Sequence, residues 1–299
     1  AHAVLLPAAT ATAKATKLMG AINRLRPRSR SSVYHGVSLA TNTRDCLVEN
    51  VTVTDWDHDA FGASGWGING GCTDVRFLRC RAVNTPKCVK AWEIEEGAQR
   101  ILLEDCVVEN LGGTGTGFYV RHHGYRWPVL VDDVTFRRCS AEKINGDGFR
   151  IATAPGSQIR PWIRTRNIRL LDCRCVGRTT IAWGVENVLR RGGRFDGPVC
   201  LGFAAGTDPL EGNGSKGPVR AVTLQQTRVG QLLINSRVGN PTGKLGDTAY
   251  AAVRRMSAHR YRFANYTSPL DDPDVSWLEG QTSERGTQIY LADIEFVAP

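Results

Sequence analysis

Long apolar runs are missing from this sequence. The longest reach about half a dozen residues, far below the roughly 18 to 20 that a membrane-spanning helix needs, so no such helix is expected. Acidic residues fall short of basic ones, 29 against 38, which leaves a formal charge of +9. A field of that sign favours an anionic partner: a nucleic acid, an acidic polysaccharide or a phosphate-rich surface. Charged residues make up only 22% of the chain, and Trp, Tyr and Phe are spread along it, which excludes a disordered polymer. No Cys-x-x-Cys is followed by a second such pair or by His-x-x-x-His, so the usual structural zinc sites are absent. The cysteines number 9, an odd count that cannot pair completely within one chain and is too sparse for a small disulfide scaffold. The sequence opens Ala1-His2-Ala3 without Met, as a processed or truncated chain would.

What is present is a repeat. An apolar residue, another two positions later and a small residue three further on recur as Val75-x-Phe77-x-x-Cys80, Ile101-x-Leu103-x-x-Cys106, Val134-x-Phe136-x-x-Cys139, Ile168-x-Leu170-x-x-Cys173 and Val222-x-Leu224-x-x-Thr227. A degenerate first copy reads Leu47-x-x-Asn50. The anchors lie 30, 26, 33, 34 and 54 residues apart, and the last gap has room for one more irregular turn. Alternation within each copy marks a strand, and the change of parity before the anchor marks a corner. A third strand follows each anchor, as Trp66-Gly-Ile68, Trp92-Glu-Ile94, Phe118-Tyr-Val120, Phe149-Arg-Ile151 and Trp183-Gly-Val185, with the aromatic and the branched residue facing inward.

Short strands at a period near 30, separated by turn residues with no helix between them, imply an all-β stack of coils in which like residues form ladders about 4.8 Å apart. The cysteine ladder reads as buried small apolar groups, although neighbouring rungs are close enough for a disulfide. On this repeat and its aromatic third strand, residues 33–235 resemble the right-handed parallel β-helix proteins of the pectate-lyase-like superfamily. The resemblance implies a solenoid of about six to eight coils and a carbohydrate-active or glycan-binding protein. The fold also carries hydrolases, epimerases and phage tailspikes, so it does not by itself choose an activity. Polygalacturonase and pectate lyase signatures are not matched; Trp56-Asp57-His58 and Arg160-Pro161-Trp162-Ile163-Arg164 come nearest, with different spacing.

In the N-terminal segment 1–32, Leu18, Met19, Ile22 and Leu25 share a helical stripe, which suggests a helix capping the open end of the stack. Residues 205–218 read as a long loop, and 236–299 as final coils and strands, with Tyr261-x-Phe263-x-x-Tyr266 as a further coil and residues 288–296 as a terminal strand.

If the aromatics of the third strands face inward, the outward positions align Asn69, Glu93, Glu95, Tyr119, Arg121, Arg150 and Glu186, followed by His122 and His123. Such a surface suits a polysaccharide laid across the coils, with Asn69, Glu93, Glu95 and Glu186 as binding groups. Eliminative cleavage of a uronic-acid polymer needs the carboxylate neutralised, the C5 proton removed and the leaving oxygen protonated. Tyr119, Arg121, His122, His123 and Arg150 have the side-chain types for those tasks. The plainer reading is an ordinary face of solvated charges paired across rungs. Asp55, Asp57 and Asp59 turn three carboxylates to one side, a hard-oxygen set suited to Ca²⁺, or else an Asp-rich turn.

The leading expectation is therefore a secreted enzyme that cleaves an acidic polysaccharide by β-elimination, with a hydrolase or epimerase on the same fold as runner-up. A homotrimeric tailspike or adhesin, virion-associated or extracellular, is the non-enzymatic alternative. Nucleic-acid binding rests on charge alone, without a recognition motif, and no membrane partner is expected.

Overall fold

The computed structural model describes residues 16–19, 35–39, 43–54, 64–68, 70–85, 90–112, 115–122, 130–153, 165–182, 185–203, 220–235, 250–253, 260–264, 275–278 and 288–296. Among them every regular element is a strand, and the 24 strands hydrogen-bond into one sheet. None is a helix long and apolar enough to cross a membrane.

Strands β1 (Thr16–Met19) and β2 (His35–Leu39) come first. A threefold rhythm follows: β3 (Arg44–Glu49), β4 (Thr52–Thr54), β5 (Ser64–Ile68); β6 (Thr73–Leu78), β7 (Arg81–Thr85), β8 (Lys90–Glu95); β9 (Gln99–Glu104), β10 (Val107–Leu111), β11 (Thr116–His122). It continues through β12 (Val131–Arg137), β13 (Ser140–Ile144), β14 (Asp147–Thr153), β15 (Thr165–Leu171), β16 (Arg174–Cys175) and β17 (Arg178–Ala182). In β18 (Val185–Arg191) with β19 (Arg194–Phe203), and then in β20 (Arg220–Asn235), the strands of a circuit run together. Last come β21 (Tyr250–Val253), β22 (Arg260–Ala264), β23 (Val275–Leu278) and β24 (Gln288–Phe296).

From β1 to β20, each strand pairs in parallel with its counterpart one circuit away, as β24 does with β20; β21, β22 and β23 pair antiparallel. β1, β3, β6, β9, β12, β15, β18, β20 and β24 form the first stack. β4, β7, β10, β13, β16, β19 and β20 form the second. β2, β5, β8, β11, β14, β17, β19 and β20 form the third. This is an all-β arrangement of the parallel solenoid kind.

Left-handed backbone bounds the first strand of each circuit. Asp45, Asp74, Arg100, Asp133, Asn167 and Asn187 stand at its second or third residue and Asn50, Arg79, Asp105, Arg138, Asp172 and Gly192 just after it, all at positive φ. Asp and Asn adopt that conformation more readily than other non-glycine residues. The arginines among them are tied to the neighbouring rung: Arg100 forks onto Asp74 at 2.6 and 2.7 Å, and Arg138 onto Asp105 at 2.8 and 3.0 Å.

Inside, the ladders Val75–Ile101–Val134–Ile168 and Phe77–Leu103–Phe136–Leu170 are fully buried. Trp66 stacks on Trp92 with centroids 4.6 Å apart, and Phe118 on Phe149 at 4.9 Å. Cys80, Cys106, Cys139 and Cys173 are free thiols in the core, each donating to a carbonyl of the preceding circuit, such as Cys139 Sγ to Leu103 O at 3.4 Å. Burial pushes the Cys139 thiol well up from its ordinary value.

Several expectations need correction. Residues 16–19 are a strand paired with Cys46–Glu49, not part of a helix, because the open edge of β3 offers backbone groups that only a strand can pair in this way; the rest of that segment lies outside the described residues. The first anchor is Val51 rather than Asn50, since Cys46 and Val48 align with Val75 and Phe77; Asn50 takes the left-handed corner instead. The gap of 54 does hold an extra turn, Val188-x-Arg190-x-x-Gly193. The fifth third-strand is Thr179–Ile181, aligned with Phe149 and Ile151, whereas Val185 opens the next first strand and Trp183 lies outside the described residues. Around Tyr261 the chain is not a coil: β22 runs antiparallel to β24, the expected terminal strand, which itself continues the first stack. The 205–218 loop lies outside the described residues.

Candidate functional site

The third stack differs from the others in being closed on both sides. Every residue of β5, β8, β11 and β14 is buried, whereas β6, β9 and β12 alternate between buried and partly exposed. Register sets Gly67, Glu93, Tyr119, Arg150 and Thr180 in one outward ladder, with Glu95, Arg121, Ala152 and Ala182 beside it.

The charges on this face pair with one another. Glu93 takes Lys90 on one side and Arg121 Nη2, at 3.0 Å, on the other. Arg121 also lies 3.5 Å from Glu95 and donates to the Tyr119 hydroxyl at 3.5 Å. One circuit on, Asp147 receives Arg178 Nε and the Thr180 hydroxyl, the latter at 3.0 Å, and sits 3.7 Å from Arg150 Nη1. Asp147 raises the pKa of the Arg178 guanidinium by accepting its hydrogen bond. Three cations surround one ring: Arg121, Arg150 and Lys90 lie 4.8, 5.3 and 5.6 Å from the Tyr119 centroid. Tyr119 is only 3% exposed and Glu93 1%. Carboxylates and guanidinium groups withdrawn from water this far must be paired, and these are.

Of the sequence candidates, Glu93, Glu95, Tyr119, Arg121 and Arg150 thus meet in one cluster. The expectation of a solvated surface is corrected, because the face is closed. His122 is fully buried and alternates to the side of Val120, away from Arg121. Glu186 belongs elsewhere: it sits on β18 in the first stack, in register with Arg166, because the strand assigned to it was shifted. Asn69, His123, Asp55, Asp57 and Asp59 lie outside the described residues. Among the described residues no group of three His, Cys, Asp or Glu is placed to hold a metal ion.

Sequence reasoning missed Lys90, Asp147, Arg178 and Thr180. Lys90 and Asp147 sit at the openings of third strands, where a Lys-x-x-Glu or Asp-x-x-Arg spacing was the available signal. It also passed over the first stack, where two open clefts meet at Arg100. One, of about 470 Å³, is lined by Asp45, Leu47, Asp74, Arg76, Arg100 and Leu102; the other, of about 300 Å³, includes Arg100, Asp132, Asp133, Asn167 and Arg169. Arg100 holds the Asp74 carboxyl below the usual carboxylate range.

Comparison with protein-family models, with curated proteins and with solved structures finds no match for this chain.

Proposed function

We propose that the chain is a right-handed parallel β-helix of about six to eight coils, of the pectate-lyase-like kind, and that it cleaves a uronic-acid polysaccharide outside the cell by β-elimination. The observation that carries this reading is the convergence of Lys90, Arg121 and Arg150 on Tyr119. Cations so placed suit a uronate carboxylate and the enolate that develops from it, with the Tyr119 hydroxyl among them as the base. In the step itself the C5 proton passes to the base, the C4–O bond breaks as the C4–C5 double bond forms, and the leaving oxygen is protonated. Because the cluster is closed to water, the polymer has to reach it from an edge of the face or after the stack opens.

The test is a time course of ultraviolet absorbance and reducing ends on acidic and neutral polysaccharides, with Ca²⁺ and with a chelator. Unsaturated uronate appearing with the wild type and lost in Tyr119→Phe is the expected result, and chelator sensitivity, lost in Asp57→Asn, would test Ca²⁺ at Asp55, Asp57 and Asp59. Silence on every sugar overturns the reading in favour of a glycan-binding tailspike or adhesin trimer.

A second reading, glycoside hydrolysis, is favoured by the open clefts with Asp45, Asp74, Asp132 and Asp133 on the first stack. Hydrolases work with carboxyl pairs. Reducing ends without absorbance, abolished by Asp133→Asn and kept by Tyr119→Phe, would select it.

A further inference from the structure

The circuit of β18 and β19 departs from the preceding ones in its core. Its second inward position on the first strand is Arg190, in register between Leu170 and Leu224. The side chain is fully buried, and none of its three nitrogens has a hydrogen-bond partner among the described residues. Its guanidinium lies 3.0 Å from the centroid of Phe195. A cation over an aromatic face recovers only part of what dehydration costs.

Three further departures fall in this circuit or begin in the one before it. Where the four preceding circuits have a thiol anchor, it has Gly193, at φ +78, and a Cβ there would come within 2.0 Å of the Cys173 carbonyl oxygen. The aromatic column of the third stack has already ended one circuit earlier, at Thr179, and Val199 does not restore it. Register also slips on both sides, between Ile181 and Ala182 against β17 and between Phe195 and Pro198 against β20, where the preceding circuit slips on one side only, between Asp147 and Phe149.

In a solenoid each circuit is held only by its neighbours, so stability is a chain of interface contributions and the weakest interface opens first. We propose that the Arg190 circuit is a built-in opening point, at which β18, β19 and β20 release from β15–β17 as a unit while the thiol and aromatic ladders of β6–β14 stay closed. Opening there turns β17 into an edge and bares the flank of the charged cluster at Thr180, Asp147 and Arg178. That consequence for access rests on the lyase reading above; the opening itself does not.

Native-state hydrogen exchange read by mass spectrometry, on the full chain and its Arg190→Leu variant, decides the matter. In the wild type, amides in 185–203 and 220–235 should exchange at least tenfold faster than those in 99–111 and 131–144, and together. Leucine, matching Leu170 and Leu224, should slow the first set by tenfold or more and leave the second within twofold. Equal protection of the two sets in the wild type, or an unchanged pattern in Arg190→Leu, overturns the proposal. If exchange behaves as expected and no polysaccharide is cleaved, the opening point stands and the lyase reading falls.

Discussion

The outer faces of the first and third stacks carry the same kinds of ion pair in opposite surroundings. On the first, Arg100 to Asp74 and Arg138 to Asp105 lie in water, with side chains 40% to 51% exposed. On the third, Lys90, Glu93 and Arg121 are at most 4% exposed. Pairs in water gain little, because solvent and salt screen them and long side chains lose freedom. Pairs out of water gain little over an apolar substitute either, yet losing one partner strands a charge in a dry place. The first face is therefore tolerant of substitution, and the third is intolerant without being a large source of net stability. Nature retains such expensive arrangements most readily where they perform a task, and perturbed, convergent ionisable groups are a recognised mark of such places.

The largest effect expected is that of Glu93→Gln, which leaves Lys90 and Arg121 without their shared carboxylate and should cost roughly 3–5 kcal/mol in urea unfolding. A loss below about 1 kcal/mol would mean that water reaches this face as it does the other, and the contrast would be broken.

Next is Arg190→Leu, burial without a partner, which should stabilise the protein by about 1–4 kcal/mol. The gain should depend on pH. Burial pulls the Arg190 guanidinium down to about 9, so above that value the folded chain sheds a proton that the unfolded chain still holds. Wild-type stability then rises relative to the variant with increasing pH. The advantage of leucine should be complete below about pH 9 and shrink above it. A gap that stays constant from about pH 8 to about pH 11 would refute this account of Arg190.

Smallest is Asp74→Asn. Its carboxylate is 40% exposed, so after solvent screening the change should stay within about 1 kcal/mol and fade in 1 M salt. Since Arg100 lowers the Asp74 pKa, the contribution is present above the ordinary carboxylate pKa and is lost as pH falls through the lower folded value. A substantially larger loss at neutral pH would show that exposure is a poor guide to these ladders.

Much of the solenoid was legible because stacking demands repetition. Val75, Phe77 and Cys80 recur in kind at Ile101, Leu103 and Cys106, and any pattern search finds them. The circuit that escaped was the one with Arg190 for leucine and Gly193 for cysteine, a disguise of both markers at once. The search for an aromatic then settled on Trp183, although Thr179 occupies that place, and it carried Glu186 onto the wrong face. Alternation also told which side chains of β8 and β11 point outward. It could not tell that the outward side is closed, since burial of an outer face depends on what packs over it from elsewhere in the chain. For the same reason Leu18 and Met19, apolar and adjacent, suited a helical stripe as well as a strand. Only the free edge of β3 decides between the two.

The path from anchor to third strand shortens along the stack, from Val51 to Trp66, through Cys80 to Trp92 and Cys139 to Phe149, down to Thr227 to Leu232. The described circuits therefore shrink in girth along the stack. A tube of constant cross-section invites identical copies to add end to end without limit, as in a fibre. Circuits of unequal girth are poorer templates for one another.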